Sequence, residues 1–135
     1  MTATETTAGG GGSSSGGGST SGGSGAGDGT VNNPIALSSG VPLTNLSGAE
    51  GSETFYSITV PAGASGLGLT VTTSGGTGDV DLDVESLTAL SDTCTSVDTD
   101  NAELCSISNP SAGEYIVSLI GFEAYSGVNL TATAP

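Results

Sequence analysis

Short runs of alternating apolar and polar residues fill the chain from Pro34 to its end, and turn-forming residues separate them. Gly, Ser, Asn, Asp or Pro recur roughly every 8–12 residues, which is the spacing typical of all-β proteins. Successive side chains of a strand point to opposite faces, so each alternating run indicates a half-buried strand. No run carries the apolar stripe of an amphipathic helix. The pattern therefore predicts an all-β fold.

The alternation also predicts which face of each strand points to the interior. Each alternating run ends where a glycine or proline follows. One or two short strands are expected around Leu37, Leu43 and Leu46. The side chains predicted to share the inward face of the later strands are Tyr56, Ile58, Val60, Leu67, Leu69, Val71, Val80, Leu82, Val84, Tyr115, Val117, Leu119, Val128 and Leu130. The polar segment 87–103 is predicted to be a long loop. Seven or eight strands favour a two-sheet antiparallel β-sandwich over an open sheet.

The N-terminal part has a different texture, because residues 9–29 are almost entirely Gly and Ser. Such a segment has too little apolar surface to offset the entropy of ordering it. We therefore predict a disordered Gly/Ser-rich linker over residues 1–33 and one β-sandwich domain over residues 34–135. The alternative for the tail is low-complexity filler at a chain end.

The charge of the chain excludes several classes of function. The chain has 14 Asp and Glu residues and no Lys, Arg or His. A wholly acidic chain repels phosphate backbones and anionic lipid surfaces, so we expect neither nucleic-acid nor membrane binding. No apolar run approaches the length of a membrane span. Without His or Lys, the chain holds no Ser-His-Asp, Cys-His or Schiff-base machinery. We predict that it is not an enzyme.

The only two cysteines, Cys94 and Cys105, are predicted to form a disulfide. Two cysteines without a His are too few ligands for a zinc site. The alternative is a pair of buried thiols. A disulfide implies an oxidising compartment, although the first ten residues lack the basic and apolar regions of an export signal. We therefore predict an extracellular or cell-surface location, with an export signal that is not part of this chain.

Three acidic residues, Asp79, Asp81 and Asp83, alternate with apolar residues on one predicted strand. Their carboxylates should leave the same face, with Cα atoms about 6.5–7 Å apart. A hard cation such as Ca²⁺ would relieve their repulsion, so they are the candidate metal ligands. The alternative is a solvated strand face in which Asp79 caps the preceding turn. No cofactor is expected to be required, and Ca²⁺ is the candidate ligand.

Two aromatic residues, Phe122 and Tyr125, fall in the predicted corner between the last two strands. Aromatic side chains on a surface are frequent contact residues. They are the candidate binding residues of the chain. The alternative is a corner that packs onto the edge of a sheet.

The sequence resembles the bacterial pre-peptidase C-terminal domain family across about 100 residues. The resemblance lies in SSGVPLTNLSGAEGSETFYSITVPAGAS from residue 38, in TVTTSGGTGDVDLDV from residue 70, and in CSISNPSAGEYIVSLIGFEAYSGVNLTA from residue 105. It implies a jelly-roll-like β-sandwich, secretion, no catalytic role and attachment to a hydrolase. In such proteins the domain is often removed during maturation.

These observations predict a non-catalytic accessory module of a secreted hydrolase, in the first place a peptidase. It would assist secretion, maturation or substrate proximity by raising an effective concentration through its linker. The alternative is a calcium-stabilised extracellular adhesion or polymer-binding domain, and an edge-to-edge assembling surface protein comes third. The expected partners are a hydrolase domain in the same precursor and, in the alternative, an extracellular polymer. We expect a monomer.

Overall fold

The computed structural model describes residues 21–22, 27–63 and 67–135. Most of the predicted linker, residues 1–20 and 23–26, lies outside the described residues. The described part is all-β and has nine strands. The strands are β1 (Ser21–Gly22), β2 (Ile35–Ala36), β3 (Leu43–Gly48), β4 (Glu53–Val60), β5 (Gly68–Ser74), β6 (Thr77–Ser86), β7 (Thr93–Ser96), β8 (Leu104–Ser108) and β9 (Gly113–Thr133). Among these residues, no helix has the length and apolar character needed to cross a membrane. The predicted all-β class is confirmed.

The long strand β9 organises the hydrogen bonding of the whole fold. Its N-terminal part pairs with β4 on one side and β6 on the other, and its C-terminal part pairs with β3 and β5. The first group therefore has the order β2-β4-β9-β6-β7, and the second has the order β1-β3-β9-β5-β8. All pairs are antiparallel except β2 with β4. Because β9 belongs to both groups, the hydrogen-bonded network runs continuously through what the sequence predicted as two sheets.

A β-bulge takes the place of the predicted corner between the last two strands. Val80 pairs with Gly121 and Asp79 pairs with Glu123, so β9 has one residue more than β6 at this point. An extra residue bends a strand and increases its twist without ending it. The bulge thus lets β9 continue from the first group into the second.

One buried cluster lies between the two groups, and it contains nearly all the residues that the alternation assigned to the interior. Leu67 is an exception, since 59% of its surface is exposed at the start of β5, and Leu37 is only partly buried. Burying a Val, Leu or Ile side chain contributes about 1.5–3 kcal/mol. The cluster is therefore the main stabilising element, and strands from both groups line it.

A disulfide joins Cys94 of β7 to Cys105 of β8, with the two Cα atoms 5.7 Å apart. The predicted bond is thus confirmed. β7 is an edge strand of the first group and β8 is an edge strand of the second, so the bond connects the groups along one side. The predicted loop over residues 87–103 was wrong where β7 interrupts it, because the strand TCTS has no apolar alternation that would indicate a strand.

Residues 27–33, which the sequence assigned to the linker, pack against the rest of the domain. The Asp28 and Gly29 amides donate to the Asn33 carbonyl, and the Phe55 amide donates to the Gly29 carbonyl over 2.8 Å. Gly27 has a φ of 116°, and a Cβ there would collide with the Pro34 carbonyl oxygen. Only glycine fits at such a position. The turn over residues 27–33 therefore fastens the start of the domain to β4.

Candidate functional site

The outward-facing acidic row of β6 consists of Asp81, Asp83 and Glu85. The sequence predicted Asp79, Asp81 and Asp83, but Asp79 is only 8% exposed. The reason is the bulge, which shifts the register between β6 and β9 next to Asp79. The three carboxylates of the predicted calcium site therefore do not leave the same open face.

Asp79 is a buried carboxylate at the end of this row. Its Oδ1 atom has no hydrogen-bond partner. Burial raises the pKa of the neighbouring Asp81, and the charge of Asp79 raises it further. In the described part of the chain, no three Asp, Glu, His or Cys side chains are placed to hold a metal ion together. Calcium binding at Asp79, Asp81 and Asp83 stays a prediction.

Asp83 also affects the pKa of Glu85, its neighbour in the row. A hydrogen bond with Asp83 raises the pKa of Glu85, and the charge of Asp83 adds to the effect. The Thr95 hydroxyl also donates to Asp83 Oδ1 over 2.7 Å. The hydrogen-bond donors near the row therefore do not compensate its negative charge.

An apolar strip lies beside the acidic row on the same side of the first group. Ile120 of β9 pairs with Asp81, and Ile116 pairs with Glu85. Phe55 of β4 lies on the far side of β9. All three apolar side chains are half-buried. We call the surface formed by Phe55, Ile116, Ile120, Asp81, Asp83 and Glu85 the acidic–apolar face.

The outward side of the second group has a different composition. Thr70 pairs with Thr133 and with Ser106, and Thr72 pairs with Thr131. These side chains alternate with buried ones along their strands, so they face away from the core. The strands β3, β5 and β8 contain no charged residue. We call the surface formed by Thr70, Thr72, Ser106, Thr131 and Thr133 the neutral face.

The two aromatic candidates have separate environments. Tyr125 is 3% exposed, and a Cβ on Gly48 would lie 2.7 Å from its ring, so the tyrosine packs tightly against β3. Tyr125 therefore has the packed position that the sequence analysis gave as the alternative, and its role in binding stays a prediction. Phe122 is 64% exposed next to the bulge. Its role in binding stays a prediction.

Buried polar side chains fix the end of the loop that follows β7. The Asn101 side chain accepts from the Val80 amide over 2.9 Å and donates to the Gly75 and Thr77 carbonyls. The Asn101 carbonyl also accepts from the hydroxyl of the buried Thr73 over 2.8 Å. Sequence reasoning missed Asn101, because nothing in a polar loop marks one amide as buried. This residue holds the loop against β6.

Glu103, which the sequence placed in a solvated loop, is also buried. Its carboxylate accepts from the Asp98 amide over 2.7 Å and from the Ser96 hydroxyl over 3.0 Å. Burial raises its pKa, and these hydrogen bonds partly oppose the shift. The side chain therefore acts as an acceptor for loop donors.

Tyr115 and Asp92 connect β9 to the loop before β7. The Tyr115 hydroxyl lies 2.9 Å from both Asp92 Oδ2 and the Ser111 carbonyl oxygen. Burial and the bond to Asp92 raise the pKa of Tyr115 to about 12. The Ser111 amide and the Tyr115 hydroxyl lower the pKa of Asp92. These groups thus serve to hold the loop in place.

A small cavity of about 340 Å³ lies between the turn over residues 27–33, β3 and β4. Ile35, Leu46 and Tyr56 supply its apolar lining, and Asp28 and Glu53 supply carboxylates. Burial, with a smaller contribution from Tyr125, raises the pKa of Tyr56. Like the acidic–apolar face, the cavity offers hydrogen-bond acceptors to a cation.

Comparison with known proteins places the chain in a family. The model of the bacterial pre-peptidase C-terminal domain matches residues 52–121. The chain is 43% identical over 107 residues to a zinc metalloprotease of Helicobacter pylori and to the hemagglutinin/proteinase of Vibrio cholerae. It is 47% identical over 100 residues to an extracellular protease of Xanthomonas campestris.

These matches cover most of this chain and a smaller part of each relative. They include 76%, 76% and 72% of the chain, but 41%, 17% and 17% of the respective relatives. The solution structure of vEP C-ter 100 matches with a TM-score of 0.50 and 33% identity. That match covers 73% of this chain and 97% of the solved one. The chain therefore belongs to the bacterial pre-peptidase C-terminal domain family.

Proposed function

We propose that this chain is the non-catalytic accessory module of a secreted peptidase. One observation carries the proposal. The chain matches 97% of a separately solved structure but only 17% of the Vibrio cholerae hemagglutinin/proteinase, which supports a self-contained unit within a larger protease. The family to which it belongs and the names of its relatives support a peptidase as the partner.

The chemistry of the described residues agrees with a non-catalytic role. Asp92, Glu103 and Tyr115 are the acidic and phenolic groups with the best-defined partners, and all three hold loops in place. The chain has no histidine, which is the commonest general base. In this proposal the peptidase domain performs the chemistry, and the module acts on secretion, maturation or access to substrate.

The disulfide and the name of one relative support a proposal about the compartment of the chain. The disulfide between Cys94 and Cys105 is of a kind that persists in oxidising environments, and one relative is named an extracellular protease. We therefore propose an extracellular location for this chain.

A fusion experiment tests the proposal. The chain is joined to a secreted peptidase that has no domain of this family, and three quantities are measured: secreted yield, maturation rate and hydrolysis of an insoluble protein. We expect at least one of them to change by about twofold or more, because a tethered module works through effective concentration. Hydrolysis of a small soluble peptide should keep its kcat/KM.

Two controls make the experiment decisive. A fusion with Leu119→Ala, which opens the core, should lose the benefit as the module unfolds. The purified chain alone should not hydrolyse casein. Proteolysis by the chain itself, or a fusion that leaves all three quantities unchanged, contradicts the proposal.

A further inference from the structure

A glycine keeps the cavity between the turn over residues 27–33, β3 and β4 open. Gly48 lies in the wall of this cavity, and a Cβ atom on it would lie 2.7 Å from both Ser52 Oγ and Tyr125 Cε1. Any other residue would therefore push one of these side chains away. The volume of about 340 Å³ falls within the range of small-molecule sites, about 300–1,000 Å³. The cavity is therefore large enough to take a ligand.

Two buried hydroxyl groups beside this glycine, Ser52 Oγ and Tyr125 OH, have no hydrogen-bond partner. Ser52 itself lines the cavity. Tyr125 is only 3% exposed, and its ring carbon that bears the hydroxyl would lie 2.8 Å from a Cβ on Gly48. A buried hydroxyl without a partner opposes folding, so folding alone does not explain why both are present here. Both groups lie where a ligand in the cavity could bond them.

The surroundings of the Tyr125 hydroxyl place it at the cavity wall. Burial raises the pKa of Tyr125, and the nearby side chain of Thr54 opposes part of this shift without forming a hydrogen bond with the hydroxyl. Burial and, to a smaller extent, Tyr125 raise the pKa of Tyr56. Thr54 and Tyr56 both line the cavity. The hydroxyl of Tyr125 therefore lies among wall residues of the cavity.

Two exposed carboxylates in the wall, Asp28 and Glu53, decide the charge of the ligand. The Thr30 hydroxyl donates to Asp28 Oδ1 over 2.8 Å and the Thr30 amide over 3.1 Å, and these bonds lower the pKa of Asp28. This carboxylate therefore stays ionised in mild acid. The chain has no Lys, Arg or His that could neutralise either group. The cavity should therefore repel anions and attract cations.

The rest of the wall decides what kind of cation fits. Ile35, Leu46 and Tyr56 line the cavity, and each is at most 6% exposed. A calcium ion takes six to eight oxygen ligands, and aliphatic side chains supply none. A primary ammonium group has three donors and no acceptor, and its hydrocarbon stem can lie along apolar side chains. An alkylammonium therefore fits this wall better than a metal ion.

We propose that this cavity binds a primary ammonium group on a short, unbranched apolar stem. The ammonium group donates to the hydroxyl oxygens of Ser52 and Tyr125, the two carboxylates supply the counter-charge, and the stem covers the apolar wall. A lysine side chain of a protein and a free alkylamine share this chemistry. The proposal concerns binding alone and does not rest on the function proposed above, so either can fail without the other.

Butylamine is the probe for the shared chemistry, and the ¹⁵N-labelled chain reports where it binds. We expect saturable shifts of the amide signals of Gly29, Gly48 and Glu53, and none at Thr70 or Thr131. The expected Kd is about 1–10 mM, because a ligand of five non-hydrogen atoms makes few contacts. Butyltrimethylammonium keeps the charge without N–H donors, and 1-butanol keeps the stem without the charge. Each should bind about fivefold more weakly or worse.

Two peptides distinguish the sources of the ammonium group. Acetyl-Gly-Lys-Gly-amide presents a lysine side chain on a polypeptide, and the same peptide with an acetylated lysine lacks the charge. If the first binds at least as tightly as butylamine and the second does not bind, the site takes a lysine side chain of a protein. If butylamine binds and neither peptide does, the site takes a free amine. Both results support the proposed chemistry.

Variants of the cavity separate a binding role from a structural one. Tyr125→Phe and Ser52→Ala each remove a hydroxyl that has no partner in the chain, so the Tm should stay within about 2 °C of the native value. Each should weaken the binding of butylamine about threefold or more. Glu53→Gln should have a similar effect on binding. The matched control is Glu50→Gln, which removes the same charge from an exposed glutamate outside the cavity wall and should leave the Kd unchanged.

Several outcomes would overturn the proposal. Equal binding of butylamine and 1-butanol, or shifts centred outside the cavity, would show that the site does not select an ammonium group. Unchanged binding by both Tyr125→Phe and Ser52→Ala, with a Tm that falls by several degrees, would show that the hydroxyls serve the fold or hold water instead. Circular dichroism verifies that each variant is folded.

Discussion

The two outward faces of this domain cover the same core and yet differ in chemistry. On the first group, carboxylates and half-buried isoleucines lie side by side, and burial and neighbouring carboxylates raise the pKa of Asp81 and Glu85. On the second group, threonine and serine hydroxyls occupy the corresponding outward positions without a charge. Both faces present polar side chains to the solvent.

The difference shows which features the fold requires and which it does not. The neutral face demonstrates that uncharged hydroxyls are sufficient to cover a sheet of this fold. Crowded carboxylates oppose folding, since like charges on one strand face repel. The acidic row therefore does not add to the stability of the fold at neutral pH.

The largest expected effect tests whether the two groups share one core. Leu119 and Leu130 are fully buried in the two parts of β9. Leu119→Ala and Leu130→Ala should each lower the free energy of unfolding by about 2–5 kcal/mol, because each leaves a cavity. Urea denaturation measures the loss. Leu104→Ala on the surface should change it by about 0.5 kcal/mol or less. A cost below about 1 kcal/mol for either buried leucine would show that its group contributes little.

The next effect concerns the covalent link between the groups. Replacing Cys94 and Cys105 by alanine should lower the free energy of unfolding by roughly 2–3 kcal/mol, because the bond restricts the unfolded chain. Denaturation of the native chain with and without a reductant measures the same quantity, and the double variant should not respond to reductant. Equal stability of the oxidised and reduced native chain would contradict the role of the bond.

A comparable effect is expected from the buried amide beside β6. Asn101→Ala removes three hydrogen bonds, leaves Val80 N–H and two carbonyls without partners, and should cost roughly 2–3 kcal/mol. The matched control is Asn129→Ala, whose side chain makes one long bond to Ser74 and should cost about 0.5 kcal/mol or less. Thermal unfolding compares the two. Similar costs would mean that Asn101 does not anchor the loop.

The smallest effect is the dependence of stability on pH. Asp81, Glu85 and Glu103 have raised pKa values, so the folded state binds protons more readily than the unfolded chain. Their contribution is complete below the ordinary values, 3.8 for Asp81 and 4.5 for Glu85 and Glu103, and is lost as the pH rises through the folded values. We expect the Tm to increase by roughly 2–5 °C between pH 7 and about pH 4.5.

Below that range the sign reverses. Asp28 and Asp92 have lowered pKa values because hydrogen bonds stabilise their charged forms. Their contribution is present above the ordinary value of about 3.8 and is lost as the pH falls through the folded value. D81N/D83N/E85Q should reduce the rise in mild acid and leave the acid-side fall. A Tm that decreases steadily from pH 7 downward would contradict these shifts.

Alternation was enough to predict the class of fold and most of its interior. Ile58 of β4 and Leu82 of β6 are buried as their alternating neighbours predict, because burial of one strand face enforces a period of two. The acidic row was harder to predict, because one β-bulge changes which of its carboxylates are exposed. The extra residue in β9 buries Asp79 and moves the open acidic row to Asp81, Asp83 and Glu85. Sequence carries no signal for a register shift between distant strands.

The loop after β7 was missed for a related reason. Asn101 and Glu103 are polar residues in a polar segment, and their burial depends on donors supplied by other parts of the chain. Tyr125 was ambiguous from its neighbours alone, and its burial follows from packing against Gly48 of a distant strand. Long-range contacts of this kind become visible only in the folded molecule.

One chemical-labelling measurement tests most directly whether the cavity binds a primary amine. A carbodiimide joins a carboxylate to an amine by an amide bond, and the chain contains no lysine that would compete. With butylamine, mass spectrometry should find these bonds at Asp28 and Glu53 in preference to Glu50, Asp98 and Asp100. Amide bonds spread equally over both sets, or concentrated on the second, would contradict the account.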